Sequence, residues 1–457
     1  MKRKIFTLLM LLTGILNVRS ASAQGWSKHG VGLSSSVGIC VVDISAPTDN
    51  VAWAIFAQFS QGTCGGIVPY VANTTNGNSW FGQVISIPGN LTPFCISAID
   101  ANTAWIITAN IGSNTTGRIY KTTNGGTSWA LQPTALMADA GRYIHFYNAN
   151  EGVAIGDSSV YTTVDGGTHW NFTTNLPVPV ANVGSGRTIF LLNAYEFLGD
   201  KIWLGDAYGN FYKSNDRGQS WSLILPAGTP ASVKGIAFSD SLHGIAAASV
   251  WITGGGNGGG YDEDASVITN DGGITWQANP ICFPSVNVDC ITAKYDVAYV
   301  PGTTQTFIAT SEYDSIWAAY SAISNDGGLT WSLIDSTEQH TVCVFTNPTN
   351  GYTGGYIPDF TRGIYKWSGT LPTGVEEIES AIGIFPNPFS DYLTIDLKSE
   401  LNRKNLISLF NVDGKLIRKL SCSEKSIQLD LRDIASGIYF LKIENEKSTM
   451  VKRIVRE

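Results

Sequence analysis

The sequence predicts an all-β protein, a ring of repeated strand units followed by a small C-terminal β-sandwich, and three observations predict it. Only 14% of its 457 residues are charged while 49 are Gly and 13 are Trp, a composition suited to short strands and tight turns. One turn motif ending in Trp recurs about every fifty residues. Beyond residue 378 the Trp/Gly-rich texture gives way to charged segments of alternating polarity.

The first 23 residues stand apart from the fold. Lys2, Arg3 and Lys4 precede an apolar stretch, Ile5 to Val18, that is too short to span a bilayer comfortably. Ala21-Ser22-Ala23 then offers small residues where signal peptidase reads, so residues 1–23 are a signal peptide cleaved between Ala23 and Gln24. No later stretch reaches spanning length, and no transmembrane anchor is expected after cleavage.

Charge is uneven along the chain. Residues 24–378 hold 12 basic against 26 acidic residues, net −14, whereas 379–457 hold 13 against 11, net +2. A body this acidic repels phosphate backbones, which excludes nucleic acid as a partner.

The motif is complete at Thr122 to Trp129, Thr163 to Trp170, Ser214 to Trp221, Thr269 to Trp276 and Ser324 to Trp331. A copy one residue short, Thr74 to Trp80, precedes them. Its turn acids and amides are Asn76, Asn124, Asp165, Asp216, Asp271 and Asp326, and its tryptophans are Trp80, Trp129, Trp170, Trp221, Trp276 and Trp331. Asp or Asn is expected to accept backbone N–H groups two or three residues on, with Ser or Thr at the start doing the same and the glycines taking positive φ. Trp then packs back on the hairpin. Intervals of 49, 41, 51, 55 and 55 residues between tryptophans fit a four-stranded propeller blade.

This pattern resembles the Asp-box, or bacterial neuraminidase, repeat. With an upstream Gly-x-Ala-x-Gly element, as in Gly152-Val153-Ala154-Ile155-Gly156, it is most similar to the photosystem II assembly factor-like propellers. The resemblance implies one β-propeller over residues 24–370, and counting the upstream elements gives it seven blades, starting near residues 49, 100, 148, 197, 240, 293 and 347. It also implies that the boxes lie on the rim, away from the central cleft. The seventh blade lacks a box and ends at Ile364-Tyr365-Lys366-Trp367, and Gly25 to Gly30 resembles its missing strand. The two ends are therefore expected to pair and close the ring.

Residues 371–378 read as a linker. Over 379–457, the matching elements are Pro386-Asn387-Pro388, a turn carrying Gly414 and Lys415, a strand carrying Gly437 and Tyr439, and a last strand carrying Lys452 and Arg453. Together they resemble the type A C-terminal sorting domain of type IX secretion substrates. The resemblance implies a seven-stranded-type sandwich recognised by an outer-membrane translocon, and a secreted or cell-surface destination reached through the periplasm.

The seven cysteines have no zinc spacing. Cys282 with Cys290, and Cys40 with Cys343 on adjacent inner strands, are the disulfide candidates for an oxidising compartment. No cofactor is implied. Asp262, Glu263 and Asp264, after the Gly254 to Gly260 insertion, are the only metal candidates, for Ca²⁺, against a solvated loop. Asp157 and Asp206 follow Gly at matching places in two blades; they are the one carboxylate pair placed to approach the central channel, against turn capping. The sialidase arginine triad and the Arg-Ile-Pro start are absent. The function expected is thus a non-catalytic binding or scaffold module for a glycan or protein; the alternative is an extracellular glycoside hydrolase of sialidase-like propeller type.

Overall fold

The computed structural model describes residues 25–33, 39–60, 63–88, 91–110, 117–132, 139–177, 190–225, 230–253, 260–278, 295–311, 320–336, 338–357, 363–372, 383–397, 405–411, 415–422, 424–444 and 449–457. The signal segment, the Cys282–Cys290 pair and most of the linker lie outside them. The chain divides into two compact units, Met1–Gly374 and Val375–Glu457. No helix among the described residues is long and apolar enough to cross a membrane.

The first unit is a β-propeller. Away from the closing sheets, its strands pair antiparallel with their neighbours in sequence, as in Leu91–Ala98, Ala104–Asn110, Arg118–Thr122 and Ala130–Leu131. Two such four-stranded units merge into one eight-stranded sheet through a single parallel pair, Asn193 with Gly235. Each unit opens with an inner strand lying ahead of the marker that sequence placed at its start: Leu91–Ala98, for example, precedes the turn at Asp100. The markers belong to the second strands, whose alternating small and apolar residues are buried on both faces. The inner strands carry no shared signature.

Box turns join third strands to fourth strands. In the complete copies the acid accepts from the backbone N–H four residues on, further than expected: Asp165 Oδ1 from His169, Asp271 Oδ1 from Thr275 and Asp326 Oδ1 from Thr330, each at 2.9 Å. The longer reach comes from two successive glycines with positive φ, 72° and 88° at Gly166 and Gly167. The nearer bond is the short copy's reach, Ser79 N–H to Asn76 Oδ1 at 2.8 Å, and Asp271 keeps it beside the longer one, Ile274 N–H to Oδ1 at 3.0 Å. The leading hydroxyl closes the turn from inside, as when Gly167 N–H donates to Thr163 Oγ1 at 3.0 Å.

At the second, third and fifth boxes a box carbonyl also clamps the unit to its predecessor. Trp105 and Lys121 face each other across paired strands, and the Trp105 indole N–H and the Lys121 ammonium both donate to Gly166 O at 3.0 Å. Trp203 and Lys213 do the same to Gly272 O at 2.9 and 2.7 Å. Trp53 with Asn73 is a weaker version, in which Asn73 reaches Gly125 O at 3.3 Å. At the fourth box Arg217 holds φ 58° where other copies have Gly, and its guanidinium binds Asp200 and Glu151 at 2.6 and 3.0 Å.

The ring closes as expected. Gly25–His29 pairs antiparallel with Ile364–Ser368 in register from Gly25 with Ser368 to His29 with Ile364. Trp26 packs edge-on against Trp367, with ring centroids 5.1 Å apart, lies beside His340 and Phe345, and donates from Nε1 to Ser321 Oγ at 2.9 Å. Lys28 pairs with Glu338.

Cys40 is disulfide-bonded, but not to Cys343, which is a free buried thiol. Both lie on inner strands, as anticipated. Cys343, however, packs with Ile308 and Trp367, while Cys40 packs with Trp53 and Ile96. The two side chains serve different inter-sheet cores, so strand adjacency does not bring the sulfurs together.

The second unit is a sandwich of a three-stranded sheet (Gly383–Phe385, Tyr392–Asp396, Ser426–Asp430) and a four-stranded sheet (Leu416–Cys422, Asn405–Asn411, Gly437–Glu444, Thr449–Arg456). Leu393, Ile395, Leu409, Leu441 and Ile454 fill its core. Its opening segment is fastened to the last strand: Val455 N–H donates to Asn387 Oδ1 at 2.9 Å, and Phe389 N–H to Val455 O at 2.9 Å. Tyr439 is buried and donates to Ala435 O at 2.7 Å. Lys415 N–H closes a turn on Asn411 Oδ1 at 2.8 Å. Gly414 lies outside the described residues, and Lys452 and Arg453 sit in register with Leu441 and Phe440.

Candidate axial site

Inner strands surround a cavity of about 440 Å³. Their first structural problem is each other. Neighbouring inner strands run parallel and, apart from the Asn193–Gly235 pair, form no ladder with each other among the described residues, so N–H groups between them need other acceptors. Side chains supply these. Ser45 Oγ accepts from Ala98 N–H at 3.0 Å, and Ser97 Oγ from Phe146 N–H at 2.9 Å.

Three acids do the same from within apolar strands. Asp43 Oδ2 accepts from Ile96 N–H at 2.8 Å, and its Oδ1 from Ile44 N–H at 2.8 Å. Asp296 accepts from Val297 and Cys343 N–H groups at 2.8 and 2.9 Å. Glu196 takes backbone N–H bonds from Phe238 and Phe197. Burial dominates their ionisation: it raises the Asp43 carboxyl and pushes Glu196 and Asp296 up to about 8.

Tyr195 crosses the cavity. Its hydroxyl donates to Asp43 Oδ1 at 2.9 Å, joining strands 152 residues apart, and its ring lies 4.7 Å from that of Tyr143. Cys95 Sγ lies 3.7 Å from the same hydroxyl, its thiol pushed well up by burial and by Asp43. His145 stacks on Phe197 at 4.4 Å and is lowered to about 4 by burial. The result is a partly aromatic cavity whose carboxyl groups are already engaged by backbone donors.

Asp157 and Asp206 are not part of its lining. Asp157 is buried and held by Arg142, with Nε donating at 2.6 Å. Asp206 is buried too; it caps a turn through Tyr208 and Asn210 N–H groups at 2.9 Å and receives the Tyr212 hydroxyl at 3.0 Å. The structure therefore gives each its own local partner and does not join them as a pair. Asp262, Glu263 and Asp264 lie on the paired strand Gly260–Thr269, opposite Trp251, Val250 and Ser249, with side chains outside the described residues. No group of metal-ligating side chains assembles among the described residues.

Sequence reasoning missed Asp43, Glu196 and Asp296. Their signal is present, a single acid inside an apolar strand as in Val41-Val42-Asp43-Ile44, but such a pattern reads equally as an exposed alternate position.

Comparison with known proteins adds two findings. Residues 383–457 match the family model of the secretion system C-terminal sorting domain. The chain therefore ends in a type IX sorting domain, which marks it for export. No curated protein matches the chain. Among solved structures, the propeller is similar to YCF48 bound to D1 peptide, at a TM-score of 0.51 and 15% identity, covering 76% of this chain and 95% of that one. YCF48 from Cyanidioschyzon merolae gives 0.49 and 15% over 75% and 98% of the two chains. A GH74 xyloglucanase from Xanthomonas campestris gives 0.46 and 12% over 81% and 59%. The first of these likenesses supports the propeller fold.

Proposed function

We propose that this chain, a propeller that ends in an export domain, is a secreted or cell-surface protein whose seven-bladed ring binds an extracellular glycan or protein without catalysing a reaction. Its signal peptide, residues 1–23, delivers it to the periplasm, and the type IX outer-membrane translocon is the partner that recognises residues 379–457. The observation that carries the non-catalytic reading is the use made of the cavity acids. Glycoside hydrolysis needs two carboxyl groups facing each other with room for water or a sugar between them. Asp43 and Asp296 are instead each taken up by two backbone N–H groups, and Tyr195 occupies the space in front of Asp43.

A glycan array run beside a panel of chromogenic glycosides tests this reading. Retained binding without turnover is expected. Turnover above the blank that is lost in Glu196→Gln, whose carboxyl is protonated at neutral pH as a general acid must be, would establish the hydrolase alternative. Truncation after residue 378 is expected to leave the propeller folded in the periplasm, read by fractionation. Undiminished surface delivery would overturn the export assignment.

A further inference from the structure

We propose that the groove beneath the sixth box, Ser324 to Trp331, binds a small aromatic amine where other interfaces of this same chain hold a Trp–Lys pair. Two of those interfaces display what fits below a box turn. Trp105 covers the third box, with the Lys121 ammonium 4.7 Å over its ring, and both donate to Gly166 O. Trp203 and Lys213 repeat this on Gly272 O, with the ammonium 5.4 Å over the indole. Each pair thus presents one aromatic face and one cation to one carbonyl.

At the sixth box the equivalent carbonyl belongs to Gly327, and the equivalent cross-strand pair is Ile245 with Ile268. Isoleucine supplies neither a ring of indole size nor a donor. Ile245 still reaches the second box glycine, since a Cβ on Gly328 would meet its Cδ1. Beyond the two isoleucines a cavity of about 130 Å³ remains, with Phe307, Gln305, Asp326 and Gly327 on its walls. Apolar cavities of ~150 Å³ lined by Leu, Ile and Phe admit a benzene ring. This one has polar walls as well, among them His243, Thr269 and Asn270, and it offers the Gly327 carbonyl and the charge of Asp326, whose oxygens accept from Ser324 and Thr330 within the box. The remaining full-box interface without an aromatic, Val153 with Thr162, is bridged by Arg217 bound to Glu151. Among the described residues no cation bridges the sixth box in that way; the neutral Gln305 carboxamide lies beside Gly327 instead.

The ligand class is therefore an aryl ring on a short chain ending in a cationic amine, either free or as the Trp and Lys side chains of a peptide. Tryptamine and acetyl-Lys-Trp-amide are the probes, read on the full chain by NMR of δ1-labelled isoleucine methyls. Saturable shifts of Ile245 and Ile268 are expected with a Kd of about 1 mM or tighter, and whichever probe binds more tightly identifies the source. Indole-3-propionate, with the charge reversed, is expected to bind at least about tenfold more weakly. Unmoved Ile245 and Ile268 methyls at roughly 10 mM of both amines, or equal binding of indole-3-propionate, would overturn the proposal. Ile245→Trp combined with Ile268→Lys rebuilds the clamp and is expected to abolish binding while raising Tm; undiminished tryptamine binding by that variant would also overturn it. The methyl titration stands by itself if the variant does not fold.

Discussion

Removing residues 24–31 is expected to lower the propeller's Tm by roughly 10 °C, and Trp26→Ala alone by about half of that. The reason is topological as much as energetic. Gly25–His29 is the outermost strand of the sheet that also contains Cys343–Asn347, Asn350–Gly354 and Ile364–Ser368, so it joins the first residues of the fold to the last. Without it the edge of Ile364–Ser368 is bare, and the aromatic cluster of Trp367, Phe345 and His340 loses its cover. Truncating a fully buried aromatic costs about 3–5 kcal/mol, half-buried Trp26 takes the lower end of that, and the deletion adds the ladder bonds and the Lys28–Glu338 pair. Differential scanning calorimetry reads both variants. A Tm within a degree of the parent would show that closure contributes nothing.

The second large effect is a loss of stability as pH rises from 6.5 to 8. Glu196 and Asp296 have folded pKa values of about 8, well above the roughly 4 of an unfolded chain. Over that interval the folded state holds protons that the unfolded state has released. The stabilisation is therefore complete below about pH 4 and disappears as pH passes through 8. One proton per group amounts to about 1.4 kcal/mol per pH unit, or at most about 4 kcal/mol for both from 6.5 to 8, roughly 5 °C in Tm. His145 acts in the opposite sense and elsewhere: lowered to about 4, it removes stability only as pH falls from 6.5 toward 4. The window above 6.5 thus isolates the carboxyls. Glu196→Gln with Asp296→Asn is expected to flatten the slope there even if its absolute Tm falls, because each amide satisfies one backbone donor fewer. An unchanged slope in the double variant would remove these two groups as its source.

The pH effect and the closure effect were unequally legible in the sequence. Closure was readable because both partners, Gly25 to Gly30 and Ile364 to Trp367, look like strands of the repeat that lack a neighbour. The cavity acids were not, since an isolated Asp or Glu in a strand gives no indication of which face is buried. The Asp157–Asp206 pair shows the converse error. Matching positions in two repeats suggested one site, but each carboxylate is satisfied by its own neighbours, Arg142 in one case and Asn210 with Tyr212 in the other.

By itself the sequence determined what is local: the box turns, closed within eight residues by their own hydroxyl, acid and glycines, the tryptophan spacing, and the ordered elements of the export domain. Even there it understated the reach of the acid, because two successive positive-φ glycines move the bonded N–H one residue further than a simple Asx turn. Tertiary structure decided what depends on facing. It turned Cys343 away from Cys40, set Tyr195 against Asp43 across the cavity, and left Ile245 and Ile268 where other interfaces have Trp and Lys. The physical reason is common to all three. A strand fixes only the alternation of its side chains, and which of its two faces meets which neighbour is settled when the ring closes.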